Sequence, residues 1–162
     1  MRSSGGARPT MQMCGMDLTN KKTTLLNNKK IIASGEAENK GELYTTPVRS
    51  GEHAWVADEL KSVGGRNAGP APGDYLCIAL ASCKAITLRM YVQRKQWKVD
   101  VINVKANLVR GEVPGAPNTF YCEVNVNGDI NEDQKKRLLQ IAKACPVSRL
   151  LGKPNEVITV VG

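Results

Sequence analysis

Three observations predict an α+β fold with antiparallel sheets wrapped around long helices. Residues Gly69 to Trp97, GPAPGDYLCIALASCKAITLRMYVQRKQW, carry an apolar stripe at helical spacing, uninterrupted by Gly or Pro once the helix is under way. Two pairs of segments alternate apolar and polar residues about a turn or a Gly/Pro loop. A second helix with a capping pattern follows the second pair, so the order is hairpin, helix, hairpin, helix, strand rather than repeated βαβ units.

Residues 1–35 are rich in Gly, Ser, Thr, Asn and Lys with weak periodicity and read as a mobile extension containing Cys14, with 36–162 as the folded domain. Leu43 to Val48 and Ala54 to Ala57 are expected to pair as a hairpin about Arg49-Ser50-Gly51-Glu52, with Arg49 at the tip. The Gly/Pro segment Lys61 to Pro72 is a loop and not a phosphate cradle. It has no G-x-G-x-x-G or Walker spacing, and its prolines remove N–H groups that a cradle needs.

Pro70 and Pro72 suit the start of a helix, and Asp74 places a carboxylate at the positive end of its dipole. Leu76, Leu80, Cys83, Thr87, Met90 and Arg94 define the stripe, widened by Ile78, Ala79, Ile86 and Tyr91. Arg89, Arg94, Lys95 and Lys98 gather at the far end. Such a helix is about 30 Å or more long and should run through the middle of the domain. It is apolar over so much of its circumference that an intimate dimer is the natural way to cover it.

After Trp97 the alternation Trp97, Val99, Val101 slips to Val104, Ala106, Leu108, predicting a long strand with a bulge near Ile102 and Asn103. The loop Gly111 to Asn118 returns the chain antiparallel, and Phe120, Cys122, Val124 and Val126 then share the inner face. Asn131 and Gln134 form a capping box for the second helix, with Leu138, Ile141 and Cys145 facing inward. Pro146 disfavours helical geometry at Cys145, which stands at the helix end. Val147 to Leu151 reads as a short helical turn and Glu156 to Val161 as a final strand.

The length of 162 residues suits a single core, and with one Phe that core is aliphatic. Of the +8 net charge, six basic residues opposed by Asp17 lie within residues 1–30, leaving +3 for the body. The body lacks basic residues interleaved with aromatics, which argues against nucleic-acid binding. Five cysteines without C-x-x-C, and His53 alone, give no zinc pattern. An odd cysteine count, no apolar leader in the first thirty residues and no apolar run near eighteen residues point to a cytoplasmic, reducing setting without membrane insertion.

Cys83 and Cys145 both fall on helix faces that must pack into one core. Cysteine is commonly buried and inert, so the spacing alone leaves two readings open: packed thiols, or a reactive and a resolving pair. Cys122 reads as a packed core thiol, and Cys77 lies away from the face of Cys83.

ALASCKAITLRMYVQRKQW, preceded by GPAP, and IAKACPVSRLLG closely resemble the two cysteine motifs of the OsmC/Ohr superfamily, over about residues 40–161. The resemblance implies an intertwined homodimer with the active site near the subunit interface. It also implies a peroxidase for organic hydroperoxides, with Cys83 peroxidatic, Cys145 resolving, an external dithiol as reductant and no cofactor or metal. An arginine from the first hairpin serves the thiol in peroxide-reducing members, which points to Arg49 here, with Arg66 as the substitute. A family glutamate near the start of the central helix is replaced by Gly73-Asp74. Asp74 either takes its role or only stabilises the helix start, and this departure leaves a second reading: an OsmC-like redox sensor or binder of a small hydrophobic ligand.

Overall fold

The computed structural model describes residues 30–161. Cys14 and most of the expected extension lie outside them. Ser34–Glu156 form one compact unit. Lys30–Ala33 and Val157–Val161 contain neither helix nor strand, so the strand expected over Glu156–Val161 is not formed. Apolar β-formers make a strand only when a ladder partner takes up their backbone groups, and among the described residues this segment has none.

The first sheet has strands β1 (Glu36–Ala37), β2 (Thr46–Ser50) and β3 (His53–Ala57) in that spatial order, all antiparallel. The hairpin is there, but its limits differ from the expected ones. Leu43 takes φ 50°, which breaks the extended run before Thr46. The Asn39 amide holds that bend by donating to the Leu43 carbonyl (2.9 Å) and to Thr46 Oγ1 (3.1 Å). The turn contracts to Gly51-Glu52, with Gly51 at φ 57°. Arg49 therefore lies within β2, paired with Ala54, and not at the tip.

Beyond β3 the chain pivots on Asp58, which is buried. Its carboxylate accepts the N–H groups of Glu59 (2.8 Å), Ala68 (3.0 Å) and Arg66 (3.1 Å) and the Thr45 hydroxyl (3.2 Å). One side chain thus folds the whole Glu59–Ala68 loop, including its 3-10 turn Lys61–Val63. Gly69 completes the approach: a Cβ there would lie 2.1 Å from the Val56 carbonyl oxygen.

Helix α1 (Pro72–Lys95) has Pro72 as its first residue and ends at Gln96 in the left-handed region, φ 54°. Asp74 Oδ2 accepts the Ala71 N–H (3.0 Å), half of a capping box whose other half Ala71 has no side chain to supply. By length and composition this helix would suffice to cross a membrane, a property the apolar-run reading had excluded. In the fold it is a core strut about 36 Å long. Tyr75 Oη donates to the Val56 carbonyl (2.6 Å) near its start, tying it to the first sheet.

The second sheet pairs β4 (Lys98–Val109) with β5 (Thr119–Asp129) antiparallel. Its bulge lies at Asp100, two residues before the expected place, because Ile102 and not Val101 turns inward. Arg89 fixes the bulge from α1, donating to the carbonyls of Val99 (2.6 Å) and Asp100 (3.0 Å). Gly128 faces it: at φ 152°, a Cβ would stand 2.3 Å from the Lys98 oxygen.

Helix α2 (Glu132–Lys143) starts with the expected reciprocal cap, Gln134 N–H to Asn131 Oδ1 at 2.9 Å and Asn131 N–H to Gln134 Oε1 at 2.8 Å. Helix α3 (Pro146–Leu151) follows directly. Leu88, Val92, Val99, Leu138 and Ala142 form the aliphatic core between α1, α2 and the second sheet. The buried line of α1 is therefore Leu80, Lys84, Leu88 and Val92. Much of the expected stripe faces outward: Leu76, Ile86 and Met90 are about half exposed or more.

Candidate active site

Two cysteines from distant parts of the sequence meet where α1 passes the junction of α2 and α3. Cys83 sits midway along α1 and is partly exposed; Cys145, between α2 and α3, is fully buried. Cys83 is close enough to help lower the Cys145 thiol, and both thiols are free. Pro146 produces this arrangement. It holds Cys145 extended (φ −61°, ψ 145°), ending α2, and makes Cys145 the N-cap of α3.

Ser148 is the immediate partner of the Cys145 sulfur. Its N–H donates to Sγ (3.3 Å), and the Cys145 thiol donates to Ser148 Oγ (3.1 Å). The same hydroxyl oxygen accepts from Lys84 Nζ (2.8 Å), which also donates to the Ala142 carbonyl (2.9 Å). Lys84 is only 7% exposed. Removing an ammonium from water costs several kcal/mol unless the interior compensates it, and no carboxylate pairs with Lys84 among the described residues.

These contacts act on the thiols in opposite ways. Burial resists ionisation of Cys145. The Ser148 hydroxyl and N–H, the Cys83 thiol and the Lys84 charge together outweigh it and hold the Cys145 thiol below its ordinary range. Burial pushes the Cys122 thiol up despite Lys84, with Cys145 and Cys77 nearby adding to the rise. Lys84, Cys122 and Ser148 share a cleft of about 320 Å³ with Leu80, Phe120 and Leu151.

The structure thus places Cys83 and Cys145 side by side, and no arginine lines the neighbouring cleft. Arg49 donates through Nε to Glu36 Oε2 (2.7 Å) and lines a separate cleft with Glu36, Val48 and Trp55. Within the chain, then, the carboxylate on Arg49 is Glu36, while Asp74 caps α1. Arg66 lies 4.0 Å from Glu42 on the surface. The cation beside the thiols is Lys84, which the sequence reading passed over. A signal was present, since Lys84 is the sole charged residue between Asp74 and Arg89 in an otherwise apolar helix. Among the described residues no group of three or more His, Cys, Asp and Glu side chains could hold a metal.

The family model for OsmC-like protein matches residues 64–160. Solved structures share the fold. An OsmC-like protein from Mycoplasma pneumoniae superposes with a TM-score of 0.63 at 18% identity, covering 77% of this chain and 89% of its own. A putative osmotic stress induced and detoxification response protein from Psychrobacter arcticus gives 0.62 at 16%, covering 76% and 90%. The organic hydroperoxide resistance protein OhrB of Bacillus subtilis gives 0.52 at 18%, covering 74% and 90%. A search of curated proteins found no match.

Proposed function

The chain belongs to the OsmC-like protein family, and from that premise we propose that it is a cysteine-based peroxidase for organic hydroperoxides. The observation that carries this reading is the placement of a partly exposed thiol, Cys83, beside a sealed one, Cys145. The accessible sulfur meets the peroxide and the sealed sulfur resolves the product. The Cys83 thiolate attacks the peroxide O–O bond; its sulfur is oxidised to sulfenic acid and the alcohol leaves. Cys145 then forms the disulfide with loss of water, and an external dithiol reduces it. The names of structural neighbours from Bacillus subtilis and Legionella pneumophila, both organic hydroperoxide resistance proteins, support the substrate class.

The working form in this reading is a cytoplasmic homodimer. Leu76, Ala79, Cys83, Ile86, Met90 and Gln93 recur at alternating spacings of three and four residues along the outward face of α1, the spacing with which a second helix packs. Cys83 lies on that face, so the subunit interface would border the site. Arg49 and Asp74 contribute to it in this reading only across that interface.

The test follows consumption of cumene hydroperoxide and hydrogen peroxide in the presence of a dithiol. Wild type is expected to turn over the organic peroxide, Cys83→Ser to lose turnover, and Cys145→Ser to accumulate a trappable sulfenic acid. No turnover by wild type with several dithiols would overturn the enzyme reading in favour of a redox sensor or ligand binder, which the Gly73-Asp74 sequence and the 320 Å³ cleft suit.

A further inference from the structure

Lys84 is a buried cation whose visible partners, a carbonyl and a hydroxyl, are both neutral. Burial of a charge is sustained by an opposite charge or by dense hydrogen bonding. The ionisable group nearest along its bonds is the Cys145 sulfur, reached through Ser148 Oγ. The other titratable or charged groups facing that sulfur are Cys83 from α1 and Cys122 from β5, while α2 supplies the Ala142 carbonyl to Lys84 and α3 supplies Ser148.

We propose that Lys84 is a positioning residue which, through Ser148, holds a thiolate on Cys145 and so prepares it to resolve the oxidised partner. Ser148 has one hydroxyl proton. With its oxygen accepting from Lys84, it can turn that proton toward sulfur, replacing the bond in which the neutral thiol is the donor. The Ser148 N–H already points at the same atom. Lys84 and Ser148 both line the cleft, so the proton released by Cys145 has a polar route outward.

The step rests on the peroxidase reading for its oxidant, an organic hydroperoxide. The Cys145 thiolate attacks the sulfur of the Cys83 sulfenic acid, the S–S bond forms and the S–O bond breaks. Hydroxide leaves and joins the proton given up by Cys145 as water. The Cys145 sulfur is oxidised and the Cys83 sulfenic sulfur reduced. Lys84 and Ser148 are unchanged.

The inference is tested on the full chain without any peroxide. The thiolate absorbance of Cys145 is titrated as the difference between Cys83→Ser and the Cys83→Ser/Cys145→Ser double variant, with and without Lys84→Met, Ser148→Ala or Ser148→Thr added. Lys84→Met and Ser148→Ala are expected to move the midpoint to higher pH, and Ser148→Thr to restore it. In the Cys83-containing protein, one equivalent of cumene hydroperoxide should then leave sulfenic acid that closes to disulfide more slowly. Each unit of upward shift removes about tenfold of thiolate but raises its nucleophilicity, for a net slowing of about threefold at pH 7. An unmoved midpoint in folded Ser148→Ala overturns the inference, even if Lys84→Met does not fold. Failure of wild type to form sulfenic acid overturns the peroxidase reading instead, and leaves the titration to decide this one.

Discussion

At the scale of single residues, two side chains hold most of what the site needs. Asp58 organises the loop into α1, and its carboxyl lies below the usual carboxylate range. The Ala68 N–H is the main cause, opposed by burial and reinforced by Glu59, Arg66 and Thr45. A folded pKa below the unfolded value of about 3.9 means that this stabilisation is complete above that pH and is lost as pH falls through the folded value. Urea denaturation should therefore show Asp58→Asn less stable than wild type near pH 6, with the gap narrowing as pH falls below the unfolded value. A gap independent of pH would refute the assignment. Lys84 shows why part of the site escaped the sequence reading. Its flanking residues fix its place on the helix, but its importance depends on Ala142 and Ser148, more than fifty positions away.

At the scale of elements, local chemistry was legible and pairing was less so. The Asn131-Gln134 cap, the inward row Phe120, Cys122, Val124 and Val126, and the long helix all follow from residues within a turn or two of each other. Asn131→Ala is accordingly expected to cost about 1 kcal/mol, measured by thermal or denaturant unfolding. Strand β1 was not foreseen because a two-residue strand is defined by its ladder to Val48 and Arg49 and not by its own composition. The bulge was placed two residues late because apolar side chains flank both positions. Arg89 and Gly128, from outside the strand, decide between them. Gly128→Ala should destabilise the protein by about 2 kcal/mol or more, since its Cβ must displace the backbone at Lys98 and Val99. A neutral effect on the unfolding midpoint would show that the bulge relaxes freely.

At the scale of the whole molecule, α1 has two working faces. One, from Leu80 to Val92, is buried against the second sheet and α2. The other carries Ile86 at 60% exposure and Met90 at 57%, more apolar surface than one helix normally leaves open to water. Met90→Asp is expected to convert the proposed dimer to monomer in sedimentation equilibrium and to lower peroxide turnover with it, because Cys83 shares that face. Unchanged mass would place the subunit contact elsewhere. The three-stranded sheet is joined to the rest chiefly by the Asp58 loop and the Tyr75 bond. The sequence could specify these pieces but not how far apart a short loop would hold them.

Proline 146 divides what would otherwise be one rod from Glu132 to Leu151, and the sulfur of Cys145 stands in the notch. The proposed reaction thus depends on an interruption: a helix healed across that joint, as Pro146→Ala would permit, could keep every apolar contact of α2 and still swing the thiol around the axis, out of reach of its mate.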